Sequence, residues 1–217
     1  MLNWIIDFMK NIFDLILSVI YTKSNMENNI PENKPKENEL DLEIVQHAQY
    51  LTVIQISDML GKFTYTDNKD KNGKYTGWIT IDPNWIKENI ATVELGVIGK
   101  IRCHKKVKDR FVAMFKEIQE KCPEKLDEDL SDPDIDVTDT KTNGGCFAAR
   151  HISFDVNRSL SVHSFGGAID LMPFTNQMGT KGNMPQEIID IADKHGFYWG
   201  GQFKNRDDMH FQIGTSV

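Results

Sequence analysis

The chain has 217 residues, 40% of them hydrophobic, enough for one domain of ordinary size plus an extension. Its net charge of −7 with His neutral argues against a nucleic-acid partner, because no basic field matches a phosphate backbone. The three cysteines, Cys103, Cys122 and Cys146, are odd in number and widely spaced, so neither a disulfide framework nor a CxxC metal knuckle is visible. They read as reduced, buried thiols of a protein made in a reducing cytosol.

Residues 1–21 alternate apolar positions (Trp4, Ile5, Phe8, Met9, Ile12, Phe13) with a polar stripe through Asn3, Asp7, Lys10, Asn11 and Asp14. That spacing predicts an amphipathic helix. Its charges count against a membrane span, and it lacks the basic start and unbroken apolar run of a secretory signal. A helix lying on a membrane or packing on a partner is expected, or one that docks on its own domain or self-associates. Residues 22–41 are polar, with Pro31 and Pro35 and no apolar period, and read as a flexible linker. Residues 42–94 form an N-terminal accessory region without an evident role. Within it, an apolar face including Val45, Ala48, Leu51 and Leu60 predicts a helix over 42–62. Tyr75–Ile81 reads as a strand, and Asp82-Pro83-Asn84 as a turn or helix start.

Residues 95–217 carry the main domain. Val107, Phe111, Met114, Phe115, Ile118 and Cys122 share one helical face, and Pro123 follows it. Residues 124–143 are acidic and turn-rich, a surface loop. Beyond Gly144, Phe147–Ile152, Ala168–Met172 and Met209–Ile213 read as strands. Pro185–His195 reads as a helix with Gly196 in the stop position. This mixed order predicts an α+β domain with a small, mainly antiparallel sheet.

Two segments hold the informative side chains: Ser161-Val-His-Ser-Phe-Gly-Gly-Ala-Ile-Asp170 and Asp207-Asp-Met-His210-Phe-Gln212. His163 and Asp170 are suitable zinc ligands, and Gly166 and Gly167 between them permit a tight turn that aims both at one spot. In the second segment, strand alternation puts Met209, Phe211 and Ile213 on one face and presents His210 on the other as a third ligand. Three protein ligands leave a position for water, the mark of a catalytic zinc. Asp207 is the candidate base. Its three-residue offset from His210 requires a turn or bulge before the strand. His151 and His195 are read as non-ligands, since a fourth protein ligand would close the site to water.

These motifs, together with Gly196-Phe197-x-Trp199-Gly200-Gly201, resemble the signature of the M15 zinc metallopeptidases. That family holds D-alanyl-D-alanine carboxypeptidases, L-alanyl-D-glutamate endopeptidases and many phage endolysins. The resemblance covers residues 144–217 and extends back to about residue 95. It implies a Hedgehog/DD-peptidase-like fold with flanking helices. It also implies Zn2+ on His163, Asp170 and His210, Asp207 as general base, and Arg150 as the arginine that binds substrate and stabilises the charged intermediate. Ser161 would be a second support or a substrate hydrogen bonder. The implied substrate is a peptidoglycan stem peptide, cut by an enzyme made in the cytoplasm that acts at the cell wall after phage-type release or as a virion component. Gln212 departs from the family's frequent Glu, which puts a supporting role there in doubt. Two alternatives are a non-catalytic, zinc-stabilised module binding cell-wall peptides and a membrane- or virion-anchored protein with a secondary peptidase domain.

Overall fold

The computed structural model describes residues 47–95, 99–123 and 145–215. The expected helix 1–21, linker 22–41 and loop 124–143 lie outside these residues. The described part falls within the compact unit Val45–Val217.

The chain enters extended, with Gln49 bridged to Thr215, and only then forms helix α1, Val53–Leu60. Helix was expected over 42–62. Thr52 sets the later start by a capping box: its hydroxyl accepts the Gln55 N–H, and the Gln55 side chain accepts the Thr52 N–H. Ile56 and Leu60 are the buried face of α1.

Strands β1 (Tyr65–Lys69) and β2 (Tyr75–Ile81) form an antiparallel hairpin. The Asp70 carboxylate closes its turn by accepting the Asn72 and Lys74 N–H groups at 2.8 and 3.0 Å. Gly77, Ile79 and Ile81 of β2 are buried, so β2 matches its predicted span and its inward face. Asp82 caps helix α2 (Pro83–Asn89), with Pro83 in the first turn, where a missing N–H leaves no bond unmade. A second antiparallel pair follows, β3 (Ile90–Glu94) with β4 (Lys100–His104), in register from Ile90↔His104 to Glu94↔Lys100.

Helix α3 (Lys108–Lys121) buries Phe111, Met114, Phe115 and Ile118. Helix α4 (Gln186–Lys194) buries Ile188, Ile189, Ile191 and Ala192. Both lie within their expected spans, Val107–Cys122 and Pro185–His195. Their apolar faces share one core with Phe197, Phe211 and Ile213, and the Phe111 and Phe197 rings sit 4.6 Å apart. Glu117 of α3 ties the two helices, taking Lys194 at 2.9 Å and His195 at 2.8 Å.

The last sheet has the order β5 (Ala168–Asp170), β7 (His210–Ile213), β6 (Phe197–Trp199), all antiparallel. Every residue of the central strand β7 is buried. The strand expected over Phe147–Ile152 differs. That segment makes single bridges, Trp78↔Arg150 and His151↔Leu160, and lies along the free edge of β2. It cannot continue as a ladder because the chain turns at Ile152–Phe154, where Ser153 and Phe154 take φ values of 55° and 57°. The architecture is therefore a mixture of helices and small antiparallel sheets, an α+β fold. No helix among the described residues is long and apolar enough to cross a membrane. Cys103, Cys122 and Cys146 are all buried, as their reading as buried thiols expects.

Candidate metal centre and cleft

Three elements converge on one point. Asp170 and His210 are direct cross-strand partners of β5 and β7, so their side chains start side by side on one face. His163 arrives from a short 3-10 turn, Val162–Phe165. Ser161 caps the turn, its hydroxyl accepting the His163 N–H, and Gly166 ends it with φ 65°. A Cβ at Gly166 would lie 2.8 Å from the His104 backbone nitrogen, so both conformation and space call for glycine. Gly167 takes no such conformation; its surroundings are Leu60, Val162 and Ile213 side chains.

The ligand-type atoms form a near-regular triangle. His163 Nε2 lies 3.2 Å from Asp170 Oδ1 and 3.2 Å from His210 Nδ1, and His210 Nδ1 lies 3.1 Å from Asp170 Oδ1. These are the three residues among those described that could together hold a metal ion. All three are buried. A tetrahedral zinc with bonds near 2.0–2.1 Å sets neighbouring ligand atoms about 3.3 Å apart, so the triangle fits.

The far nitrogens reinforce the fit. His163 Nδ1 faces the Gly145 and Cys146 carbonyls at 2.9 and 3.2 Å, which accept and cannot donate. That nitrogen therefore carries the proton, and Nε2 turns a lone pair inward. His210 Nε2 faces Gln212 Oε1 at 3.2 Å, while the Gln212 amide nitrogen donates to the Leu51 carbonyl at 3.0 Å. The amide is thereby fixed with oxygen toward the ring, and His210 Nδ1 is the nitrogen left for the centre. Ala168 stands opposite Gln212 in the sheet, and its small side chain leaves room for this contact. The doubt attached to Gln212 is thus corrected: the amide supports His210 by orientation and needs no charge.

The electrostatics favour a cation. Burial opposes charge on Asp170, yet His163 and His210 beside it hold its carboxyl well below the usual range. Burial pushes His163 down. His210 is also opposed by burial but is raised overall by its contact with Asp170 and by the Asp207 charge.

Asp207 precedes β7 in a turn closed by the His210 N–H on the Asp207 carbonyl at 3.1 Å, which supplies the bend its offset requires. Burial pushes its carboxyl up to about 6, and one buried oxygen has no hydrogen-bond partner among the described residues. Asp208 has a different fate. It is 1% exposed, pairs with Arg206 and accepts the Gly182 N–H at 2.8 Å.

A cleft of about 500 Å³ opens on His210 and is lined also by Arg150, Ser161, Asp207 and Phe203. Burial lowers the Arg150 pKa, against the pull of Asp170 and Asp207. Trp199 is directed elsewhere, donating its indole N–H to the Asp208 carbonyl. His151 contacts Asp67 at 2.8 Å, and His195 contacts Glu117, both apart from the triangle. Ser164 passed unnoticed in the sequence. Its hydroxyl accepts the Arg150 N–H at 2.9 Å and donates to the Arg150 carbonyl at 2.8 Å, pinning that backbone on both sides. Only its place inside the Ser161–Asp170 motif could have drawn attention to it.

Three ligand-type atoms, a carboxylate with a free oxygen and an arginine near one cleft make the arrangement that a hydrolytic metal centre needs. Residues 155–213 match a peptidase M15 family model described as D-alanyl-D-alanine carboxypeptidase, which supports an M15 family peptidase and the resemblance read from the motifs. The match spans Ser161, His163, Asp170, Asp207 and His210, and Arg150 lies just before it. No curated protein and no solved structure matches the chain.

Proposed function

We propose that the protein is a zinc peptidase that hydrolyses a peptide bond in peptidoglycan stem peptides, on a Hedgehog/DD-peptidase-like scaffold. The observation that carries the reading is the triangle of His163, Asp170 and His210, with far-side hydrogen bonds that aim both imidazoles inward. When bound there, zinc supplies Lewis acidity to the scissile carbonyl and acidifies water. Asp207 takes the proton from the attacking water and returns it to the leaving amine; its raised carboxyl suits that exchange near neutral pH. Arg150 offers its guanidinium to the negative charge that develops on the carbonyl oxygen. Ser161 keeps the His163 turn capped at the cleft wall.

The bond cut is either D-Ala-D-Ala, by a carboxypeptidase, or L-Ala-D-Glu, by an endopeptidase, and the setting is that of a phage or prophage lysin. Residues 1–21 would add a membrane or partner contact. Mass spectrometry of purified peptidoglycan digested with and without chelator, and with Asp207→Ala, tests this. Stem-peptide fragments that vanish with chelator and with the variant are expected, and their masses identify the bond. Cleavage indifferent to chelator overturns the metal mechanism. Zinc retention without cleavage makes the domain a binding module.

A further inference from the structure

Arg150 is fixed unevenly. Its backbone is held by Ser164, by the Ser161 N–H on its carbonyl at 3.0 Å, and by the bridge to Trp78 of β2. Its guanidinium has no hydrogen bond or ion pair among the described residues. The group packed on it is the ring of Phe154, whose centroid lies 5.1 Å from Cζ. Asp170 and Asp207 attract the Arg150 charge but make no hydrogen bond or ion pair with it, so they do not fix the plane of the guanidinium.

Phe154 itself is held against its preferences. It and Ser153 both take left-handed backbone conformations, disfavoured for residues with side chains, and such conformations survive only where the surroundings enforce them. Strand β2 enforces them. The Gly77 carbonyl accepts the His151 N–H at 2.8 Å, drawing the turn onto the hairpin. The Phe154 backbone then sits so close to Gly77 that a Cβ there would lie 2.1 Å from the Phe154 carbonyl oxygen. The Trp78 ring, 5.1 Å away and tilted by 58°, backs the Phe154 ring. A phenylalanine 47% exposed at a cleft lip gains little from burial, so its enforced placement is better explained by what its ring touches.

We propose that Phe154 is a positioning residue for the Arg150 guanidinium, and that the β1–β2 hairpin serves to hold it there through Gly77 and Trp78. The ring face attracts the cation and fixes its plane over the cleft. The consequence for hydrolysis rests on the peptidase reading; the positioning itself does not.

The test therefore has two arms. The Arg150 Nε–Hε resonance is assigned by its loss in Arg150→Lys. In the wild type it should be sharp and displaced by the ring current. In Phe154→Leu and in Gly77→Ala it should broaden and move to the position of a solvent-exposed arginine, while Phe154→Tyr keeps it. On stem-peptide substrate, Phe154→Leu should lower kcat by about 3- to 30-fold with little change in KM, and Phe154→Tyr should restore it. Zinc content should be equal in all variants. A Phe154→Leu spectrum with the resonance unchanged in shift and width overturns the proposal, whatever the activity. The expected spectra with a wild type that cleaves no stem peptide uphold the positioning and overturn the peptidase reading.

Discussion

Gln212 holds the far nitrogen of His210 and is itself held by the Leu51 carbonyl, so its amide acts on the centre only through geometry. Replacement by Leu removes the acceptor and leaves a carbonyl unpaired. Zinc affinity, measured by competition with a chromophoric chelator, should fall about 10- to 100-fold with the 1:1 stoichiometry kept. Asp207→Asn makes the opposite separation. Metal content should be unchanged, and the rate of stem-peptide hydrolysis should drop about 10²–10⁴-fold. The placement of His163, Asp170 and His210 was legible because Gly166 and strand alternation constrain where neighbouring side chains point, and because the motifs resemble a known signature. The supports were not. Ser164 acts on a backbone 14 positions away, and Gln212 reaches a carbonyl 161 positions away, so no local spacing encodes either contact.

Helices α3 and α4 are joined at one carboxylate. Lys121 and Lys194, with His195, hold the Glu117 carboxyl down from 4.5 to about 2, although burial pushes the other way. A depressed folded-state pKa means stability that is complete above 4.5 and lost as the pH falls toward about 2. Glu117→Gln should lower unfolding free energy by about 1–2 kcal/mol at pH 7, discounted because both lysines are largely exposed. In urea titrations the gap between variant and wild type should close across that acid window; a gap that persists at pH 2 would assign the loss to packing. Helix α3 was legible because an apolar face of 3.6-residue period over a dozen positions has few competitors, and α4 because Pro185 and Gly196 mark its start and stop. Strands β3 and β4 were not legible: each is five residues long, and although Lys100, Ile101, Arg102 and Cys103 alternate, so short a run is no stronger than chance spacing until its partner is known. The segment Phe147–Ile152 suggested a strand but forms none, since its partners are single bridges and the following turn denies it a ladder.

For the molecule as a whole, the α+β class followed from the mixed order of patterns, but the role of residues 47–95 did not. They carry no recognisable chemistry of their own, yet they supply the Leu51 carbonyl and the Gly77 and Trp78 supports. A metal that joins β5, β7 and the His163 turn must also stabilise the fold that brings them together. Free zinc at about 100 times its Kd should raise Tm by about 5–10 °C, and chelator should reverse the gain. A Tm indifferent to zinc would remove the metal from this centre. The position of β7 has a further consequence, in time. It is the middle strand of its sheet and follows every other described strand and helix in the chain. His210 emerges 40 residues after Asp170, about 2–8 s later at ordinary rates of synthesis. Through that interval a nascent chain has an open sheet and only two of the three ligand-type residues, so the triangle can close only when one strand slides between two that are already made.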